Sequence, residues 1–312
     1  MSDNRRLERR VSLRDLRVLM SVIEAGSMGK AAKLLATSQP AISRSIADLE
    51  HAFGVRLLDR SAFGVEPTLY GRALMTRGVA MFDELGQSVK DISFLADPTD
   101  GELSIAASIA IAEGLVCGVM NSLSRRYPRL TYQVLASDTT TAYRALLDRK
   151  VDLAIIHAIE PIPPEHVDVE TLLLDPHIVV AGLQNPLARR RRLKLSDVVD
   201  EPWALPPSGS PYARVVAEAF RTHRLPLPPS VISSTLPVRT TLLATGRYLS
   251  MVPRIVMQFA PKTRLIKALP IHLPATAKPL ALVTLKNRTL TPVAGLFAQE
   301  LRKITKGLSE AA

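Results

Sequence analysis

Between residues 12 and 96 apolar side chains return every three or four positions, the period of helices that show one face to a core. Leu13, Leu16, Met20 and Ile23 form the first such stripe, and Ser12 with Asp15 three residues on is a capping-box variant that sets its start. A second helix is expected after Ser27, with Ala31, Leu34 and Leu35 inward. A third starts at Thr37 or Ser38, carries Pro40 in its first turn and buries Ile42, Ile46, Leu49 and Phe53 before Gly54 stops it. In VRLLDRSAFGVEPT (55–68) two short apolar pieces flank a glycine-containing tip, the pattern of a small hairpin or wing. Gly71, Met75, Gly78, Phe82, Leu85, Val89, Ile92 and Ala96 then alternate spacings of four and three. That heptad seam predicts a helix paired with another helix; the alternative is a long helix packed on its own domain.

The period changes after the turn-like DPTDG (97–101). LSIAAS, LTYQVLA and VDLAIIHA read as strands separated by two helical stretches, a βαβαβ arrangement with a parallel sheet. IVVAG, a proline-rich connection, a helix over about 211–224, the strand YLSMV, then ALVTLKN and a closing helix over about 292–306 complete the chain.

Composition narrows the class. Of 312 residues 47% are hydrophobic and 22% charged, and no run of 18 uncharged apolar residues predicts a membrane span. MSDNRRLERR has no apolar stretch behind its charges, so a cytoplasmic location is expected. Cys117 is the lone cysteine; in its apolar helical setting it reads as a small buried hydrophobe. The net charge of +11 suits a polyanionic partner, yet residues 1–98 carry only +2 and the remainder +9. Charge alone therefore does not locate a nucleic-acid site. An enzyme on the second domain would need a nucleophile, base or metal cluster. The six histidines are scattered, and no G-x-S-x-G, P-loop or G-x-G-x-x-G follows a strand, so neither catalytic residues nor a metal nor a cofactor is expected. A solute carrier would leave residues 1–96 unexplained.

Placing Ile42 inward at 100° per residue puts Pro40, Ser43, Arg44, Ala47 and His51 on the outer side of the third helix. Small residues there would let that helix approach base edges in a major groove. Arg44 is suited to guanine and Gln39 to adenine. Arg56 and Arg60 on the wing, with Thr68 at the next helix start, would hold phosphates. A helical hairpin whose polar face is merely solvated has the same periodicity.

These residues also carry a resemblance. EAGS, KAAKLL, SQPAISRSIADLE, GVRLLDR and a PT-x-x-GR turn stand in the order and spacing of LysR-type transcriptional regulators, and YPRL, VDLAII, LARRRRLKLSDVVDEPW and a late PR-x-V segment extend the likeness over essentially the whole chain. The resemblance implies an all-α/winged helix-turn-helix domain over 1–68, with Ser38, Gln39, Pro40 and Ala41 opening the reading helix. It implies a linker and dimerisation helix over 69–97. Over 98–312 it implies a two-lobed α/β effector domain resembling type 2 periplasmic binding proteins. It further implies homodimers and homotetramers on an interrupted palindrome of promoter double-stranded DNA, contact with RNA polymerase, and a small-molecule effector. VTLKNRTLTPVAGLF resembles the subgroup of galactose-binding-protein regulators, which implies a sugar-related signal.

Ligands of such open sheets sit at strand C-terminal ends and helix N-termini. Ser108, Thr139 and His157 occupy such places in the first lobe, and Ser208, Thr235 and Pro237 in the second. By the resemblance, positions matching Ser108 and Thr139 contact effectors. Ala110 stands where many relatives carry Ser or Thr, and His157 replaces a frequent Arg; both weigh against a simple carboxylate, so a sugar and an organic acid stay open. Each polar residue taken alone reads as a helix cap or surface hydroxyl. Arg189–Arg192, with no interleaved aromatics, reads as a solvated loop. Two alternatives remain: a C-terminal domain that serves only assembly, and an enzyme on the binding-protein fold.

Overall fold

The computed structural model describes residues 11–61, 64–259, 265–273 and 276–310. The chain divides into two compact units, Met1–Ser88 and Val89–Ala312.

In the first unit helices α1 (Leu13–Ala25), α2 (Met28–Leu34) and α3 (Gln39–Phe53) precede a hairpin of β1 (Leu58–Ser61) and β2 (Gly64–Pro67). The Ser12 side chain accepts from the Asp15 amide and the Asp15 carboxylate accepts from the Ser12 amide, so the expected capping box is present, and Gly26 closes α1 in the left-handed conformation. Ser38 caps α3, Pro40 lies in its first turn and Gly54 ends it. Leu19, Ile42, Ile46 and Leu49 are fully buried, each contributing about 1.5–3 kcal/mol relative to exposure.

The inward stripes differ from expectation at the helix ends. Leu13, Leu34 and Phe53 are 44%, 72% and 38% exposed, because terminal turns overrun a core this small. On α1 the buried face is Leu16, Val18, Leu19 and Val22, with Met20 and Ile23 half-buried. The wing is antiparallel, Leu58 opposite Pro67, and its tip at 62–63 lies outside the described residues. A Cβ on Gly71 would stand 2.1 Å from the Leu57 carbonyl oxygen, so the glycine of PT-x-x-GR is what lets the next helix start against the wing.

That helix, α4 (Leu69–Ala96), divides along its length. Gly71 and Gly78 are buried, Gly78 beneath the Met20 thioether. From residue 81 on, Met81, Leu85, Val89, Ile92 and Leu95 are 48–77% exposed, an apolar stripe that the chain itself does not cover.

The second unit holds two five-stranded sheets. The first is ordered β4-β3-β5-β12-β6, from β3 (Asp100–Ser108), β4 (Arg129–Ser137), β5 (Leu153–His157), β6 (Val167–Asp175) and β12 (Lys278–Leu285). The three expected strands do run parallel, but β12 is antiparallel to both β5 and β6, which makes the sheet mixed. A helix in three consecutive pieces, α5 (Ile109–Ile111), a π-turn (Ala112–Val116) and α6 (Cys117–Ser124), packs on one face together with α11 (Pro292–Glu310); α7 (Thr139–Leu147) covers the other. Cys117 is exposed at the surface, contrary to the buried position expected, because the solvent side of that helix falls at this residue.

The second sheet is ordered β11-β7-β10-β8-β9, from β7 (His177–Gly182), β8 (Trp203–Leu205), β9 (Ser230–Ser233), β10 (Leu249–Pro253) and β11 (Ile266–Ala268). α8 (Pro211–Thr222) packs Val216, Ala219 and Phe220 against Trp203. On the opposite face α9 (Leu236–Leu243) and α10 (Val256–Phe259) bring Leu243 and Val256 to Val180 and Val252. The chain crosses between sheets at Pro176 and again before Lys278. The crossings are tied together: the His177 ring meets the Thr276 carbonyl at 3.2 Å, and the Thr276 hydroxyl donates to the His177 carbonyl at 3.3 Å.

Candidate nucleic-acid interface and effector site

On α3, Ser38, Gln39, Pro40, Ala41 and Arg44 are all exposed, as are Ala47 and His51. Ser43 departs from the outward face expected of it: it is half-buried and its hydroxyl contacts the Met28 sulfur at 3.3 Å. The helix is held from both ends. Ser45 donates to Asp15 at the head of α1 (2.6 Å), and the Glu50 carboxylate accepts from the Leu57 and Leu58 amides of the wing (2.8 and 3.2 Å). Arg56 and Arg60 are exposed on the wing. The Thr68 hydroxyl is occupied within the protein: it donates to the Arg56 carbonyl (2.8 Å) and accepts from the Gly71 amide (3.1 Å), so it caps α4. An open depression of about 570 Å³ beside α3 brings Arg14 of α1 to the same wall as Arg44. Nothing in the helical period marked Arg14.

Between the two sheets of the second unit lies a cavity of about 150 Å³. Ser108, Ala110 and Thr235 line it, as expected. Ser208 lines a separate depression with Ala213 and Leu227, because Pro206 and Pro207 take the wall position ahead of it. Pro237 lies off the cavity lining, its carbonyl accepting from the Thr240 and Thr241 hydroxyls. The Ser108 and Thr139 hydroxyl oxygens are buried without a hydrogen bond of ordinary geometry, and both act on the Tyr212 phenol.

His157 is fully buried behind the cavity and has both ring nitrogens engaged. Nε2 lies 2.9 Å from Asp175 Oδ2, and Nδ1 lies 2.9 Å from the Tyr212 hydroxyl. A carboxylate only accepts, so Nε2 carries a proton, and in the neutral ring Tyr212 donates to Nδ1. This chain of bonds joins the ends of β5 and β6 to the start of α8, and so joins the lobes. Burial pushes the Tyr212 phenol up to about 12, so it keeps its proton in neutral solution. His177 packs 5.9 Å from the Tyr212 ring; desolvation draws its pKa down to about 3 and it is neutral. A second link across the cleft is the Arg214–Glu160 ion pair.

Sequence reasoning missed Tyr212, Asp175 and Arg239. Arg239 of α9 is 5% exposed, lines the cavity and donates to Ser250 Oγ (2.8 Å) and the Met251 carbonyl (3.2 Å). A sequence signal existed: Arg239 is the lone charge in SSTLPVRTTLLATG (233–246).

A winged helix-turn-helix unit followed by a two-lobed α/β unit with a cavity between its sheets defines a DNA-binding regulator with an effector domain. Two family models match: the bacterial regulatory helix-turn-helix protein of the lysR family over residues 13–72, and the LysR substrate binding domain over 96–305. The chain belongs to the LysR family of transcriptional regulators. It is 28% identical to the regulator GbpR of Azospirillum brasilense over 95% of this chain and 87% of that one. It is likewise 28% identical to CysL of Bacillus subtilis over 78% of this chain and 81% of that one. Among solved structures, a full-length OxyR variant from Pseudomonas aeruginosa superposes with a TM-score of 0.63 at 21% identity, covering 94% of this chain and 95% of that one. Full-length CbnR in complex with its target DNA superposes at 0.55 and 22% identity, covering 95% of this chain and all of the other. No helix among the described residues is long and apolar enough to cross a membrane.

Proposed function

We propose that this regulator reads DNA through the first turns of α3. In this reading Gln39 and Arg44 meet base edges, Ser38, Pro40 and Ala41 allow close approach, and Arg56, Arg60 and Arg14 hold phosphates. The observation that carries it is the joint exposure of Gln39 and Arg44 on a helix clamped at Asp15 and Glu50. Ser43 and Thr68 serve to place α3 and α4, since their hydroxyls are engaged within the protein.

The exposed stripe of α4 pairs two copies into a homodimer, and dimers assemble into a homotetramer on an interrupted palindrome. Two reading helices then double the contacts that one short helix can make. A small molecule between the lobes selects one state of closure, which changes the spacing and bend of the bound DNA and the contact with RNA polymerase in the cytoplasm. The CbnR structure with target DNA concerns a relative of the same fold and supports the mode of docking.

Arg44→Ala is expected to cost roughly 1–3 kcal/mol of specific binding and to relax specificity at its base pair. A footprint over the DNA upstream of the protein's own coding region measures this. Protection unchanged in extent and affinity would refute the assignment.

A further inference from the structure

The interlobe cavity has a charge that its own walls do not balance. The Arg239 guanidinium is buried and, among the described residues, no carboxylate lies within ion-pair distance of it. Its Nη1 donates to neutral acceptors on Ser250 and Met251, and its Nε–H has no acceptor among the described residues. Burying a cation without a counter-ion is unfavourable unless something else supplies the negative charge. On the same cavity the Ser108 hydroxyl is buried beside the Tyr212 phenol, on which it acts. Asp138 is the lone carboxylate of the lining, but it is exposed at the rim and its oxygens accept from the Thr141 amide (2.9 Å) and hydroxyl (2.6 Å).

Size and wall chemistry restrict the guest. A volume of about 150 Å³ is that of an engineered cavity that takes up benzene. Ile109, Ala110, Pro206, Pro207, Leu236 and Pro253 supply most of the exposed wall, with hydroxyls of Ser137, Ser234 and Thr235 among them. A hexose would need an acceptor or donor for each hydroxyl around its ring, whereas most of the exposed wall is apolar. A planar or branched acid needs polar partners at one end only.

We infer that the cavity takes a compact monoanion, a carboxylate of about benzoate size, with Arg239 as its counter-charge and specificity-determining residue. The carboxylate lies against the Arg239 guanidinium on the cavity wall, and its apolar body lies against the proline walls. The inference rests on reading this cavity as the effector site. It also replaces the charge that the sequence lacks at His157: the cation comes from the opposite lobe, on α9.

Calorimetry on the full chain tests it with benzoate, the neutral isostere benzamide and D-galactose as probes. Benzoate is expected to bind at least about tenfold more tightly than benzamide, since hydrogen bonds to charged groups contribute about 1.5–3 kcal/mol. Arg239→Gln should remove that preference by weakening benzoate alone, while Arg239→Lys keeps part of it. Should the Gln variant fail to fold, the benzoate-to-benzamide ratio in the unaltered protein and in Arg239→Lys decides. Equal binding of the two, a preference for galactose, no heat from millimolar benzoate, or an undiminished preference in a folded Arg239→Gln would each overturn it. A footprint repeated with saturating benzoate tests the regulatory reading separately. Binding without any change in protection would sink regulation and leave the ligand class standing.

Discussion

The most deeply enclosed side chains of the effector unit, His177, Tyr212 and Arg239, are tuned by burial more than by neighbouring charge. His177 is the clearest case, with desolvation holding its pKa at about 3, far below the value near 6.5 of an unfolded chain. The unfolded state therefore binds a proton between these values that the folded state refuses. The stability from the neutral ring is whole above pH 6.5 and is lost as the pH falls from there toward 3, at up to about 1.4 kcal/mol per pH unit. Urea unfolding at pH 7.5 and 5.0 should show a wild-type loss exceeding that of His177→Gln by roughly 2 kcal/mol. Parallel losses in the two proteins would show that His177 does not stay neutral in the fold. Hydrophobic period cannot reveal such a residue, because a histidine opening an apolar strand reads the same whether it is solvated or enclosed.

At the scale of elements, α4 packs on its own unit in its first half and leaves the heptad seam exposed in its second. Gly71 and Gly78 face the wing and α1, whereas Leu85, Val89 and Ile92 are left in solvent by the chain itself. In the proposed function that stripe is what a second copy covers. Ile92→Glu should therefore convert a dimer to a monomer in sedimentation at micromolar concentration and leave the circular dichroism of the folded units intact. A dimer of unchanged affinity would place the pairing surface elsewhere. The seam was legible because its spacing is local. The point at which it leaves the core was not, since that depends on how far the three-helix unit reaches along α4.

The two lobes of the effector unit are joined by hydrogen bonds from residues far apart in the chain. Tyr212 of α8 donates to His157 of β5, which in turn donates to Asp175 at the crossing between sheets. Tyr212→Phe would leave His157 Nδ1 buried and unpaired, at a cost of about 1–3 kcal/mol in urea unfolding. An unchanged midpoint would mean that this bond does not hold the lobes together. It also bears on ligand response, since the same phenol lines the cavity with Ser108, while Thr139, behind it, lies off the lining.

What the sequence determined by itself was local and periodic: the capped helices, the wing, the Gln39 and Arg44 face, the parallel βαβαβ core and the family motifs. Those depend on residues within a few positions of each other, where helix and strand periods act directly. The tertiary structure alone decided which polar residues meet. It turned Ser208 and Pro237 off the cavity, enclosed His157 between Asp175 and Tyr212, and brought Arg239 from the second sheet to face Ser108 on the first. The physical reason is that a buried charge is defined by what surrounds it, and the surroundings of Arg239 come from segments more than a hundred residues apart.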